Sequence, residues 1–132
     1  MKYLLDTHTF IFAAFGSPNL GKQARKIILD QKNELFISVV SFWEISLKYA
    51  LGKLQLSGVG PEGLKNAGEE MGFSLLGLSV EDASSYHHLP RCSHKDPFDR
   101  MLIWQAIQGK YTLVSRDASF DRYVAMGLKV VY

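Results

Sequence analysis

Short apolar runs alternate along the chain with longer stretches of helical periodicity. Residues 3–5, 35–40, 74–78, 112–115 and 129–131 are the strand candidates. Their apolar character is continuous rather than alternating, which predicts strands buried on both faces, as in a parallel sheet. Residues 20–31 place Leu20, Ala24, Ile27 and Ile28 on one stripe, with Lys22, Arg25 and Lys26 elsewhere, the pattern of an amphipathic helix. Residues 42–51 predict another helix, closed by Gly52. Residues 61–71 and 97–108 both open on proline, and Gly72 and Gly109 follow their ends. Residues 80–88 form a shorter candidate. This alternation predicts a three-layer α/β/α sandwich around a central, mainly parallel sheet of four or five strands. In such sheets ligands sit beyond the carboxyl ends of the strands.

Composition narrows the class. The 132 residues are enough for one core without disulfides, and residues 1–132 are expected to form one domain. With 47% hydrophobic and 21% charged residues, the chain has the mix of a folded globular protein and not of a disordered one. A formal net charge of +2 is too small to indicate a nucleic-acid partner by itself, so the placement of charge matters more than its sum. Cys92 is the single cysteine, which excludes an internal disulfide and suits a reducing compartment. No secretory signal and no apolar run near the ~20 residues that span a bilayer is visible, so a cytoplasmic protein without membrane contact is expected.

The acids are placed suggestively. Asp6 ends the first strand and Glu44 follows the second; Asp96 and Asp99 open the helix that begins at Pro97; Asp117 follows the fourth strand. In a parallel sheet all five are delivered to one edge. Carboxylates crowded there repel one another unless a divalent cation neutralises them. Mg²⁺ or Mn²⁺ takes oxygen ligands and keeps waters, leaving room for a phosphate and an attacking water. Arg91, Lys95, Arg100 and Arg116 lie close to these acids in sequence and form a candidate basic rim for a polyanion.

Each position also has a purely structural reading. Ser41-x-x-Glu44 has the form of a capping box, and Asp96-Pro97-Phe98-Asp99 resembles one. Asp6 and Asp117 can act as helix N-caps, where the helix dipole favours an acid without any metal. Lys48 can pair with Glu44 at i,i+4. Trp43 and Trp104 fall in apolar helical stripes, as core or interface residues do. The four histidines and Cys92 lack zinc spacing, and there is no nucleophile elbow or glycine-rich phosphate loop.

Four segments in order resemble the PIN-domain family, and within it the VapC-type toxins of toxin–antitoxin pairs. They are Leu4-Leu5-Asp6-Thr7-His8; Ser41-Phe42-Trp43-Glu44-Ile45 with Lys48 and Leu51-Gly52-Lys53-Leu54; His94-Lys95-Asp96-Pro97-Phe98-Asp99-Arg100-Met101-Leu102-Ile103; and Leu113-Val114-Ser115-Arg116-Asp117 with Phe120 and Tyr123. The likeness covers nearly the whole chain. It implies a catalytic, metal-binding quartet of Asp6, Glu44, Asp99 and Asp117, with Asp96 as accessory ligand or cap. It also implies Mg²⁺ or Mn²⁺, endoribonuclease activity on an RNA substrate, a homodimer, and a cognate antitoxin that blocks the site. Lys95, Arg100 and Arg116 are then the expected RNA contacts. Trp104-Gln105 departs from the small residues common after the third acid.

Two other classes fit less well. A phospho-acceptor receiver domain needs paired acids after its first strand and a lysine ending its last; Asp6 is followed by Thr7 and His8, and Lys129 begins its strand. A non-catalytic RNA-binding or scaffold domain on the same fold is the alternative function, against which the complete quartet argues.

Overall fold

A computed structural model describes residues 1–132. Five strands form one sheet: β1 (Lys2–Leu5), β2 (Glu34–Ser38), β3 (Ser74–Leu76), β4 (Thr112–Val114) and β5 (Lys129–Val131). Their order is β3-β2-β1-β4-β5, and every pairing is parallel. The helices are α1 (Thr7–Ala14), α2 (Lys22–Leu29), α3 (Val39–Ala50), α4 (Pro61–Glu70), α5 (Val80–Ser85) and α6 (Pro97–Gly109), with 3₁₀ segments at Tyr86–His88 and Ala118–Met126.

Alternate residues of β1 feed opposite faces, as strand geometry requires. Tyr3 and Leu5 join a core with Phe10, Ile27, Ile37, Ile45 and Leu64 from β2 and helices α1 to α4, and with Phe73 just before β3. Leu4 joins a second core with Ile103, Trp104, Leu113, Phe120 and Tyr123 from β4, α6 and the second 3₁₀ segment. Burial on both faces explains the continuous apolar character of the strands. The expected three-layer α/β/α sandwich is the observed fold.

Several local expectations needed correction. α1 was not foreseen, because residues 10–15 are apolar all round and offer no polar stripe; the Asp6 cap and packing of Phe10 and Ala13 against the sheet form it. The β-branched pair Val39-Val40 reads as strand, yet the helix begins there, because Ser38 accepts the amide of Val40 and caps it. Residues 80–88 divide into α5 and a 3₁₀ turn. α6 includes Gly109, and the left-handed residue that ends it is Lys110 (φ 58°). Gly109 is small for a different reason: a Cβ there would stand 2.3 Å from the Tyr111 ring. Gly52 and Gly72, at φ 71° and 86°, do close their helices as expected.

Candidate active site

The sheet order locates the site. The chain builds from β1 outward through β2 to β3, then returns to the other side of β1 for β4 and β5. The crevice between the carboxyl ends of β1 and β4 is therefore the switch point at which α/β sheets bind ligands. Asp6 lies directly after β1, and its N–H donates to Val114 O at 3.0 Å. Asp117 follows β4, and its N–H donates to Ser115 Oγ at 3.0 Å.

Both aspartates are also helix caps. Asp6 Oδ1 accepts from Thr9 N (2.9 Å), and Asp117 Oδ1 accepts from Ser119 N (2.9 Å). Burial raises the Asp6 pKa above the usual carboxylate value, and hydrogen bonding from Ser115 and Thr9 offsets only part of this. The more exposed Asp117 is held below the usual value, chiefly by its hydrogen bonds with Ser119. With His8, Phe12 and Arg116 the two line an open cavity of roughly 330 Å³. A capping acid thus keeps its cap and still faces a shared space.

Glu44 is different. Because Ser38 caps α3, Glu44 is the sixth residue of the helix, and the capping-box reading with Ser41 fails. The side chain is buried, yet both oxygens are engaged: Thr7 Oγ1 donates to Oε1 (2.7 Å), and Lys48 Nζ lies 2.5 Å from Oε2. Ser41 Oγ pairs with the same Thr7 hydroxyl at 2.9 Å. Burial opposes the charge on Lys48, but its hydrogen bond to Glu44 and the charges of Glu44, Asp96 and Asp99 outweigh that and raise its pKa.

Asp99 is the third residue of α6. Asp96 caps this helix, its Oδ1 accepting from Phe98 N (2.9 Å) and Asp99 N (3.2 Å). Burial and then the charges of Asp96, Glu44, Asp6 and Asp117 push the Asp99 pKa up to about 7. Asp99 therefore feels every other candidate acid. Asp6 and Asp117 share one cavity beside the carboxyl ends of β1 and β4, and Asp99 and its cap Asp96 open α6.

The basic rim is only partly where it was expected. Arg116 is exposed beside Asp6 and Asp117 and also donates to Asn19 O. Arg91 and Lys95 are exposed along a neighbouring cleft of about 420 Å³. Arg100 is a correction. It is buried, and its guanidinium donates to Tyr86 Oη (3.0 Å), Pro90 O (3.1 Å), Tyr123 Oη (3.1 Å) and Leu89 O (3.1 Å). With four of its five N–H donors spent inside the protein, Arg100 is a fastening for the segment before α6 rather than part of an exposed rim.

Sequence reasoning passed over several supporting residues. Thr7 and Ser115 lie within two residues of a strand end and hold Glu44 and Asp117; a hydroxyl within two residues of an acid at such a junction was the available signal. His94 Nε2 stands 3.3 Å from Asp99 Oδ2, and nothing in its spacing revealed this. Gln105, noted only as a departure, is buried; it accepts from Ser38 Oγ (2.5 Å) and donates to Gly77 O (3.2 Å), tying α6 to the ends of β2 and β3. Trp104 is core, with Nε1 donating to Ser85 Oγ, whereas Trp43 is 63% exposed.

The donor set fits a hard divalent cation. All five acids offer only oxygen, and their mutual repulsion, visible at Asp99, is what such a charge relieves. No three His, Cys, Asp or Glu side chains form a ready-made cage. That suits an ion like Mg²⁺, which is held by one or two carboxylates and retains its waters.

A parallel α/β sandwich with carboxylates gathered at its switch point is thus the class that fold and site define. The chain belongs to the PIN domain family, whose model matches residues 3–125. No curated relative matches it in sequence. Similar solved structures include VapBC2 from Rickettsia felis bound to a promoter DNA fragment, at 17% identity and a TM-score of 0.69, covering 99% of this chain and 98% of that one. FitAcB from Neisseria gonorrhoeae is similar at 20% identity and a TM-score of 0.63, over 100% and 97% of the two chains. A toxin–antitoxin complex from Klebsiella pneumoniae is similar at 17% identity and 0.61, over 98% and 96%. No helix is long and apolar enough to cross a membrane.

Proposed function

We propose that the chain is a metal-dependent endoribonuclease, the toxin of a VapBC-type pair. The observation that carries this reading is Asp99, whose pKa is pushed up to about 7 by burial and then by the charges of Asp96, Glu44, Asp6 and Asp117.

In this reading one or two carboxylates of the quartet Asp6, Glu44, Asp99 and Asp117 would hold Mg²⁺ or Mn²⁺ directly and the others through its retained waters, and Asp96 principally caps α6. Such an ion, when bound, lowers the pKa of a coordinated water and stabilises charge on a phosphodiester oxygen. The chain's own residues prepare the place. Thr7 and Lys48 fix the rotamer of Glu44, and the Thr9 and Ser119 amides fix those of Asp6 and Asp117. The first turns of α1 and α6 add partial positive charge that offsets part of the repulsion. Arg116, Lys95 and Arg91 take RNA phosphates around this centre.

Family membership and the likeness to VapBC and FitAB complexes support a cognate antitoxin as partner, and a cytoplasmic homodimer is proposed on the same basis. The test is cleavage of single-stranded RNA with Mg²⁺ or Mn²⁺, with EDTA and with Asp99→Asn. Metal-dependent cutting that disappears in the variant is expected. Full activity in excess EDTA overturns the reading. Metal-dependent RNA binding without cutting favours the non-catalytic alternative.

A further inference from the structure

His94 lies outside the acid quartet, yet its ring is built into the site. Its side chain is about nine-tenths buried. Phe120 and Tyr123 pack edge-on against it, at centroid distances of 5.5 and 6.0 Å and interplanar angles of 69° and 84°. Nδ1 is 3.0 Å from Ser119 Oγ. The backbone is held as well: Cys92 Sγ donates to His94 O at 3.8 Å and pairs with Tyr123 Oη at 3.1 Å, the hydroxyl that Arg100 also touches.

The remaining ring nitrogen, Nε2, is sealed from solvent and has no fully aligned hydrogen-bond partner, and Asp99 Oδ2 faces it at 3.3 Å. Ser119 holds the ring at Nδ1, where its hydroxyl can donate or accept. Its amide is committed to Asp117 Oδ1, but its hydroxyl is free to donate to Nδ1. When that hydroxyl donates to Nδ1, the neutral imidazole bears its proton on Nε2, the nitrogen that stands 3.3 Å from Asp99 Oδ2. The opposite arrangement would set a nitrogen lone pair against a carboxylate oxygen. A buried N–H without a good acceptor is rare, so the ring is poised to complete its bond to Asp99. Ser119 thus touches the fourth acid through its amide and His94 through its hydroxyl, and His94 in turn stands beside the third acid.

We propose that His94, oriented by Ser119, is a positioning residue that sets the rotamer of Asp99 for divalent metal binding. This rests on the reading of the acid cluster as a metal site. Hydrogen-bonded partners behind a ligating carboxylate typically contribute 10–100-fold to metal affinity.

The test is Mn²⁺ binding to the full chain, measured by calorimetry and by disappearance of the free-ion electron paramagnetic resonance signal. Asp99→Asn is the control, and circular dichroism of every variant checks the fold. His94→Ala is expected to weaken Mn²⁺ binding by roughly 10–100-fold. His94→Gln, whose amide N–H reaches the Nε2 position, is expected to recover most of that affinity. Ser119→Ala should give a smaller weakening in the same direction. Wild-type affinity in His94→Ala overturns the proposal. So does equal weakening in His94→Ala and His94→Gln, which would make the ring a packing element against Phe120 and Tyr123. A wild-type chain that binds no Mn²⁺, or binds it undiminished in Asp99→Asn, overturns the metal-site reading and this inference with it. Binding abolished in Asp99→Asn but kept in His94→Ala overturns the role of His94 alone.

Discussion

Lys48 Nζ lies 2.5 Å from Glu44 Oε2, one turn along the same helix, with the carboxylate almost wholly buried and the amine about one-third exposed. The lysine thus places a positive charge next to the acids, and its hydrogen bond to Glu44 with the charges of Glu44, Asp96 and Asp99 favours its protonated form. It partly neutralises the metal-free site. Lys48→Gln should lower metal-free stability by about 1 kcal/mol, after allowing for solvent screening of the amine. The same change should leave the site hungrier for cations, so added Mn²⁺ should raise the melting temperature of Lys48→Gln more than that of the wild type. An equal rise in both would show that the lysine does not offset the acids.

Asp99 presents the opposite case. Its ionised form is opposed by burial and by four neighbouring carboxyls. Asp99→Asn removes that repulsion and should hold or raise metal-free stability while abolishing RNA cleavage. If Asp99 serves only the helix start, the variant should lose up to about 1 kcal/mol and keep its activity. Melting temperature and cleavage rate on one preparation separate the outcomes.

The pH dependence follows with a definite sign. The Asp99 carboxyl has an ordinary value of 3.8 and a folded value of about 7, so the folded protein holds this proton more tightly than the unfolded chain. Its contribution to stability is fully present below about pH 4 and is lost as pH rises through about 7. Metal-free wild type should therefore lose stability relative to Asp99→Asn between these limits. Denaturant unfolding of both proteins in EDTA, at intervals from about pH 4.5 to about pH 8, measures the difference; a constant gap would remove the raised pKa.

Arg100 and Arg116 should behave differently although both neighbour acids in the sequence. Arg100→Ala strips hydrogen bonds from Leu89 O, Pro90 O and the Tyr86 and Tyr123 hydroxyls, and should cost on the order of 3 kcal/mol in denaturant unfolding. Lysine cannot replace the forked guanidinium, so Arg100→Lys should recover only part. Arg116→Ala and Lys95→Ala should barely alter stability. Each should weaken RNA binding and reduce the salt slope by about one for every phosphate that is no longer neutralised. Binding isotherms at several salt concentrations, with Ca²⁺ to suppress turnover, would show unchanged slopes if these two side chains are idle.

The amino-acid sequence determined by itself the layered α/β architecture and the acids that follow its strands. Strands covered on both faces must be apolar at successive positions, and residues at their carboxyl ends must share an edge if the strands run parallel. Both properties are local or additive, so they can be read from Leu4-Leu5-Asp6 or Leu113-Val114 without coordinates. Other features depended on what came from far along the chain. α1 lacks a polar stripe and forms because Asp6 caps it and the sheet covers Phe10. α3 begins at Val39, against the β-branched character of that residue, because Ser38 caps it and the Gln105 side chain meets Ser38 from 67 residues away. Arg100 looks like surface charge beside Asp99, but α6 turns it inward to tyrosines and carbonyls that only the folded chain assembles. His94 gains its partners in the same manner, from Ser119 and Asp99. The tertiary structure decided these because a side chain's role depends on which donors and acceptors surround it, and those neighbours come from residues that periodicity and spacing do not connect.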